Sequence, residues 1–440
     1  MREMKNSDVE WLPQIPFNWT RARLKDVISV LTDYTANGSF ADLAKNVEYH
    51  DYIDYARLVR LTDLRDNLEN PGIYVDEKSY KYLEKSKLFG NEILVANVGA
   101  YAGLFCEMPP IDIPATLGPN MFLIRTNKRM LNHYLYYLGN TRLIWNQLAQ
   151  KSFSSAQPKL NKTDVKTIQI VFPSIKQQQH IITYLDTKCA EIDSISEDIR
   201  KEIETLQEYR KSVITEAVTK GLDPNVEMKD SGVEWIGEIP NSWELEKGKY
   251  VFIQKNERGN TICLQLLSPT QKYGVIPQDK YEELSGMKAV KLNEKVDLSE
   301  LKTVHKGAFC ISLRSFQGGF EYSDYEGVVS PAYQIFYPTR NICDDYYRYL
   351  FKTQGFIQEM NSFTMSLRDG KNIAFEDFGN SLIPVPPLSI QNDIATFLNT
   401  KCSEIDSIIA DKQKQLDVLA EYRKSLIYEY VTGKKEVPTK

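Results

Sequence analysis

A long segment of this chain occurs twice. Residues 187–195, TKCAEIDSI, return as residues 400–408, TKCSEIDSI, and the sequence EYRKS at 208–212 returns at 421–425. Both matches hold at the same offset of 213 residues. This period is far longer than the roughly 20–50 residues of solenoid repeats. The chain is therefore predicted to fold as two halves with the same plan.

A third match marks the start of each half. Residues 9–19 and residues 233–243 share the residues V-E-W, I-P and W at the same spacing, here at an offset of 224. Two similar halves in one chain can face a partner that has two-fold symmetry. Duplex DNA is the commonest such partner.

Each repeated block predicts a long helix. Apolar residues recur at alternating steps of four and three, which is the heptad pattern of a coiled coil. Prolines at 173 and 386–387 and glycines at 221 and 433 indicate where the two helices begin and end. The seam positions that we expect to be buried are Leu185, Ile192, Ile199, Leu206 and Val213 in the first helix, and Leu398, Ile405, Leu416, Leu419 and Leu426 in the second.

The two helices are expected to pair with each other. About 45 residues give a rod of roughly 65–70 Å, and the sequence predicts no other partner of that length. A two-fold axis across the rods would make them antiparallel, which would place Cys189 and Cys402 too far apart for a disulfide. Arg210 and Arg423 fall on the seam, and we hypothesise that they set the register or reach acids on the facing helix.

The regions outside the helices are predicted to be mixed α and β, so the fold class is α+β. Similar strands at 90–96 and 306–312 each lead into a glycine-containing turn, but the two regions otherwise differ in sequence. Segments that differ plausibly do different work. The expected segments are a first globular region at 1–172, a helix at 173–222, a second globular region at 223–385, a helix at 386–433 and a tail at 434–440.

The sequence carries no familiar catalytic motif. It has no phosphate-binding P-loop, dinucleotide fingerprint, HExxH, paired CxxC or GxSxG, and its four histidines are scattered. This argues against a self-contained ATPase, a Rossmann enzyme or a zinc hydrolase. The six cysteines are far apart and no secretory or membrane-spanning segment is visible, so a reduced cytoplasmic protein is expected. The net charge of −5 does not by itself favour DNA binding.

Polar and aromatic loops supply the candidate DNA contacts. Amide, hydroxyl and cationic side chains can reach phosphates and base edges, although the same loops could equally be solvated hairpins. The candidates in the first region are Arg57, Arg60, Arg65, Asn97, Tyr101, Lys151, Ser154, Gln157 and Lys159. Those in the second are Arg314, Gln317, Ser366, Arg368 and Lys371. No metal site is expected.

The repeated motifs resemble those of a known family, the DNA-specificity subunits of type I restriction–modification systems. The segments 7–19 and 231–243 resemble the sequence that introduces each target recognition domain. The double proline at 386–387, followed by Gln391 and the blocks at 400–408 and 421–425, resembles the helical region, which residues 173–220 repeat. The first copy has Pro-Ser in place of the double proline.

The resemblance implies a non-catalytic subunit whose two recognition domains read the halves of a split DNA site. It further implies two methyltransferase subunits and motor–nuclease subunits as partners, which would carry S-adenosylmethionine, ATP and Mg²⁺. Two other functions remain open from the residues alone. One is a coiled-coil adaptor that binds no DNA, and the other is an enzyme with an unrecognised active site.

Overall fold

The computed structural model describes residues 3–9, 12–152, 158–258, 265–288, 300–312, 318–363 and 373–438. The chain forms two compact units. Unit 1 comprises Met1–Ile199 and Lys414–Lys440, and unit 2 comprises Arg200–Gln413. Both boundaries fall within the long helices, so each unit contains one α/β region and a part of each long helix.

Unit 1 is built on two four-stranded sheets. Their strand orders are β6-β5-β10-β7 and β4-β11-β8-β9, and the pairs β1-β2 and β12-β3 stand beside them. The strands are β1 (Met4–Val9), β2 (Leu12–Pro16), β3 (Thr20–Arg23), β4 (Ile28–Asp33), β5 (Ala56–Val59), β6 (Ile73–Val75), β7 (Lys87–Leu88), β8 (Ile93–Ala96), β9 (Phe105–Glu107), β10 (Ala115–Leu117), β11 (Met121–Thr126) and β12 (Gln169–Phe172). Strand β8 lies centrally and is buried along its whole length, as its continuous apolar sequence predicts.

The helices of unit 1 cover these sheets. They are α1 (Phe40–Asn46), α2 (Leu61–Arg65), α3 (Glu77–Tyr82), α4 (Asn132–Gly139), α5 (Arg142–Ser152), α6 (Lys162–Lys166) and the first part of α7 (Ile175–Lys220). Ser39, Asp76 and Asn161 cap α1, α3 and α6 by accepting backbone N–H hydrogen bonds.

Unit 2 contains one six-stranded sheet, β16-β23-β20-β21-β18-β17, with the pairs β13-β14, β15-β24 and β19-β22. Its strands are β13 (Met228–Asp230), β14 (Glu238–Pro240), β15 (Glu244–Lys247), β16 (Phe252–Lys255), β17 (Leu267–Thr270), β18 (Gly274–Pro277), β19 (Lys302–Val304), β20 (Ala308–Ile311), β21 (Phe320–Ser323), β22 (Gly327–Val329), β23 (Gln334–Pro338) and β24 (Leu382–Val385). Its helices are α8 (Gly248–Val251), α9 (Gln278–Ser285), α10 (Asp344–Leu350), α11 (Gln354–Ser362), α12 (Phe375–Asn380) and the first part of α13 (Leu388–Val431). The core of the unit is aromatic: the ring of Phe252 lies within 5.8 Å of the rings of Phe309, Phe336, Phe351 and Phe378.

The two long helices run antiparallel, as predicted. In unit 1, Tyr184 contacts Tyr430 and Asp193 pairs with Arg423, so the partner's number falls as the position on α7 rises. In unit 2, Glu202 pairs with Lys412 and Arg210 pairs with Asp406, again in opposite directions. The predicted seam positions are all buried or half-buried.

The hypothesis about the two seam arginines agrees with these contacts. Arg210 Nε lies 3.0 Å from Asp406 Oδ1 in unit 2, and Arg423 Nε lies 3.5 Å from Asp193 Oδ1 in unit 1. Asp193 and Asp406 occupy equivalent places in the repeat, as do the two arginines. The same interhelical ion pair is therefore formed once in each unit, which is what a pseudo-two-fold repeat requires.

Buried tyrosines hold each α/β region to the end of a long helix. Tyr134 on α4 donates its hydroxyl hydrogen bond to the carbonyl of Val431 at 2.8 Å in unit 1. Tyr346 on α10 donates to the carbonyl of Val218 at 2.8 Å in unit 2. The last carbonyls of a helix have no partner within the helix, so these hydroxyls stabilise both helix ends. The tyrosine-rich helices therefore serve core packing.

A buried glutamine ties the start of each long helix to the same region. In unit 1 the side chain of Gln178 accepts from the backbone of Leu131 and donates to the carbonyl of Pro173. Gln391 makes the matching contacts with Cys343 and Pro386 in unit 2.

Within the described residues, no helix is both long and apolar enough to cross a membrane.

Candidate nucleic-acid interface

The glycine-containing turn after β8 and the polar loop after α5 meet in unit 1. The backbone N–H of Gly99 donates to Pro158 at 2.9 Å, and that of Leu160 donates to Asn97 at 2.8 Å. Val98 and Lys159 form an isolated β-bridge. Gly99 has φ +87°, a conformation that favours glycine and allows this tight turn. Asn97 and Lys159, both predicted from sequence, are thereby brought together.

A cleft of about 470 Å³ opens beside this meeting point. Asn97 and Lys159 line it, together with Phe40 at the start of α1 and an ion pair between Lys162 and Asp33 at 3.0 Å. The side-chain oxygen of Asn97 is buried and accepts no hydrogen bond from the described residues. A buried acceptor left unpaired costs about 1–3 kcal/mol, so an incoming donor would be favoured here.

Arg65 and Tyr101 form a second group. The Arg65 guanidinium lies 4.4 Å from the centre of the Tyr101 ring, at the end of α2 and in the glycine turn respectively. Both side chains are exposed. The stacked geometry leaves the N–H groups at the edge of the guanidinium available to phosphates or base edges.

Arg57 and Arg60 make contacts inside the protein. Arg57 is 6% exposed and donates to the carbonyls of Leu68 and Asn70 at 2.8 and 3.0 Å, which fixes the loop after α2. Arg60 pairs with the buried Asp63 at 2.9 Å. Burial alone would raise the pKa of Asp63, but hydrogen bonds from Arg60 outweigh it and lower that pKa. Direct DNA contact by these two arginines stays a prediction.

The remaining candidates are distributed differently. Lys151 donates to the carbonyl of Asp164 at 3.3 Å and to the hydroxyl of Thr167, and so links α5 to α6. Seven candidates lie outside the described residues, namely Ser154, Gln157, Arg314, Gln317, Ser366, Arg368 and Lys371. Among the described residues, no cluster of His, Cys, Asp and Glu could hold a metal ion.

Two surfaces were not foreseen from the sequence. The first surface contains Phe40 and the Lys162–Asp33 ion pair. It could not be predicted, because nothing in the local sequence distinguishes these residues from ordinary helix starts. The second surface could have been found. Large apolar residues off the seam recur in the repeat: Ile195 and Ile408 are 50% and 46% exposed, and Tyr209 and Tyr422 are 49% and 54% exposed.

Two of these exposed residues belong to each unit. In unit 1, Ile195 and Tyr422 lie two residues and one residue along the chain from the paired residues Asp193 and Arg423. In unit 2, Tyr209 and Ile408 flank the equivalent pair. Their recurrence at equivalent positions of the two helices makes them candidates for a surface that both units share. The term "helix patches" is used below for the Ile195–Tyr422 pair and the Tyr209–Ile408 pair.

A family model described as the type I restriction modification DNA specificity domain matches residues 16–205 and again residues 237–417. The chain belongs to this family. It is therefore the non-catalytic, DNA-recognising specificity subunit of a type I restriction–modification system, with two recognition domains. The two matches correspond to the two halves of the internal repeat.

Two relatives are similar to this chain over nearly its whole length. The chain is 25% identical to a Methanocaldococcus jannaschii protein named as the type I restriction enzyme MjaX specificity subunit, over 97% of this chain and 96% of the relative. It is 23% identical to the MjaVIII specificity subunit of the same organism, over 96% and 94%.

Solved structures share the fold. A chain from a structure described for the assembly and conformational transition of the type I R-M system matches with a TM-score of 0.68 at 14% identity, over 96% of this chain and 99% of that chain. The HsdS subunit from Thermoanaerobacter tengcongensis matches with a TM-score of 0.53 at 14% identity, over 96% and 98%.

Proposed function

We propose that each α/β region of this specificity subunit reads one half of an asymmetric, bipartite DNA site. The observation that carries the proposal is the contrast within the repeat. The helices and their contacts recur in both units, whereas the α/β regions keep a common plan with different sequences and different sheets. Different reading loops on equivalent frames would recognise different bases.

In unit 1 the reading surface is proposed to centre on the glycine turn. Asn97, Tyr101 and Lys159 lie in or beside this turn, and Arg65 stacks on Tyr101. Lysine and arginine side chains would position the phosphate backbone, and the unpaired oxygen of Asn97 could accept from a base amino group.

The long helices are proposed to set the number of unread base pairs and to bind two methyltransferase subunits. One helix patch in each unit, built from the same residue types, would suit two copies of one partner. Motor–nuclease subunits would complete the assembly. S-adenosylmethionine, ATP and Mg²⁺ would be carried by these partners and not by this chain, and the complex would act in the cytoplasm.

Methylome sequencing tests this function. Cells that express the chain with its methyltransferase should show methylation of a split, asymmetric site. Exchanging residues 20–172 for the equivalent region of another family member should change one half-site only. Inserting one heptad into each long helix should lengthen the unread spacer, so unchanged spacing would contradict the role of the helices. Methylation of a continuous or symmetric site would contradict the proposal that the two regions read different halves of a split site.

A further inference from the structure

Unit 1 contains a second, larger cleft, of about 930 Å³. Its walls come from three places: the glycine turn at 100–104, the junction of α4 and α5 at 139–146, and α13 at 421–428. The exposed rings of Tyr101 and Trp145 line the cleft. The volume lies in the range of cavities that bury a ligand or an anchoring side chain.

The charged residues that line this cleft are mainly basic. Arg142, Arg423 and Lys424 face a single acid, Glu421, which lies 3.7 Å from Arg142 and 2.7 Å from Lys424. The other walls are apolar, with Leu104 and Ile427 among them. An occupant that combines apolar side chains with a negative charge would therefore complement the cleft.

One wall of the cleft is the repeated sequence EYRKS at 421–425, which is identical to residues 208–212. In unit 2 a cleft of about 530 Å³ is lined by Arg210 and Ile214, the counterparts of Arg423 and Ile427, but by no other residue of the segment 208–212. The second cleft is smaller and has more charged residues in its lining, among them Lys352, the counterpart of Asn140.

We propose that the cleft of unit 1 receives an acidic, apolar segment of the methyltransferase subunit. This inference rests on the proposed function, because it assigns the anchoring point of a partner proposed above. The sequence of this wall favours a protein over DNA, since EYRKS is repeated unchanged at 208–212 on α7 while the reading regions differ. Tyr422, part of the helix patch, lies between Glu421 and Arg423 in the sequence, and both of these residues line the cleft. The smaller cleft of unit 2 should hold its copy less tightly.

The test uses the complex of the full chain with its methyltransferase. Ala102→Trp fills the cleft, and Lys424→Glu reverses a charge in its wall. Lys211→Glu is the matched control, because Lys211 makes the same ion pair with Glu208 at 2.7 Å but does not line the unit 2 cleft. Native mass spectrometry and titration calorimetry would report how many methyltransferase copies bind and how tightly.

Both cleft variants should weaken one of the two copies about tenfold, whereas Lys211→Glu should change binding less than about twofold. Two copies bound with unchanged affinity in both variants would overturn the inference. Loss of DNA affinity by Lys424→Glu, which lies outside the proposed reading turn, with both copies retained would show that the cleft holds DNA instead.

A third variant and a wild-type measurement separate failure of the cleft assignment from misfolding and from failure of the proposed function. Trp145→Ala removes an exposed ring from the cleft and should also weaken the binding of one methyltransferase copy. If Ala102→Trp does not fold, Trp145→Ala and Lys424→Glu together test the inference. Methylation by the wild-type complex is measured first. If that complex modifies no bipartite site, the proposed function fails; if it does and the variants bind normally, only the cleft assignment fails.

Discussion

His133 on α4 joins two carboxylates that lie on other elements of unit 1. Its Nδ1 contacts Glu107 on β9, and its Nε2 lies 2.8 Å from Asp186 on α7, which also accepts from the hydroxyl of Tyr137 at 2.7 Å. The ring stacks on Tyr136. Hydrogen bonding to Glu107, opposed by burial, and then to Asp186 raises the pKa of His133 to about 9.

The sign of the pH dependence follows from this pKa. An unfolded histidine has a pKa near 6.5, so the stabilisation is fully present below about pH 6.5 and is lost as the pH rises through about 9. The difference corresponds to at most about 3 kcal/mol at full effect. The side chain is 33% exposed, and solvent screening should reduce the contribution to about 1–2 kcal/mol.

The perturbation is His133→Gln, which removes the titrating ring. Thermal unfolding of wild type and variant would be followed between pH 6 and pH 9.5, with hydrogen exchange to identify the transition of unit 1. For a unit of about 200 residues, 1–2 kcal/mol corresponds to a fall of roughly 3–6 °C in the Tm of the wild type across this range. The variant should start lower at pH 6 and lose less as the pH rises.

Unit 2 provides the matched control. Asp345 stands where unit 1 has His133, and it accepts a hydrogen bond at 3.0 Å from Asn399, the counterpart of Asp186. Asp345→Asn should therefore lower stability by a similar amount at every pH in the range. The reasoning is refuted if wild type and His133→Gln lose stability in parallel between pH 6.5 and pH 9.

Three further predictions concern stability and DNA binding. Tyr134→Phe and Tyr346→Phe should each lower the free energy of unfolding of their own unit by about 1 kcal/mol, measured by denaturant unfolding, because each removes a buried hydrogen bond to a helix end. Arg57→Ala should lower the stability of unit 1 by about 2–3 kcal/mol, whereas Arg65→Ala should leave stability unchanged and weaken DNA binding by about 1–3 kcal/mol in a gel-shift assay. Phe252→Ala should cost about 3–5 kcal/mol in unit 2, because its ring lies at the centre of the aromatic core.

The long helices could be predicted because their signal is periodic and repeated. Heptad spacing indicates the seam, and the two-fold repeat indicates the antiparallel direction. The structural pairing of Arg210 with Asp406 follows the same logic, since an arginine in an apolar seam needs an acid. The strand at 93–96 can also be predicted, because a short apolar run bounded by turn residues is typical of a buried strand.

The residues of the reading loops that contact DNA could not be predicted in the same way. Charge alone does not separate an arginine that meets DNA from one that meets its own loop. Arg57 and Arg65 lie eight residues apart in similar sequence, yet one is buried among carbonyls and the other is exposed on a tyrosine ring. For Arg60 a local signal existed: Asp63 follows at a spacing of three, which is the geometry of a capping box. Long-range contacts such as that between Gly99 and Pro158 leave no such mark in the sequence.

Comparing equivalent positions of the two units separates shared functions from individual ones. Four features occur in both units: the tyrosine that binds a helix end, the glutamine at each helix start, the interhelical Arg–Asp pair, and an exposed isoleucine and tyrosine. By contrast, the position of His133 is occupied by Asp345 in the other unit, and the position of Asn140 is occupied by Lys352. A surface present twice with the same residues suits a partner that binds twice. A surface present twice with different residues suits two different stretches of DNA, and the boundary between the two kinds of surface runs through the clefts beside α13 and α7.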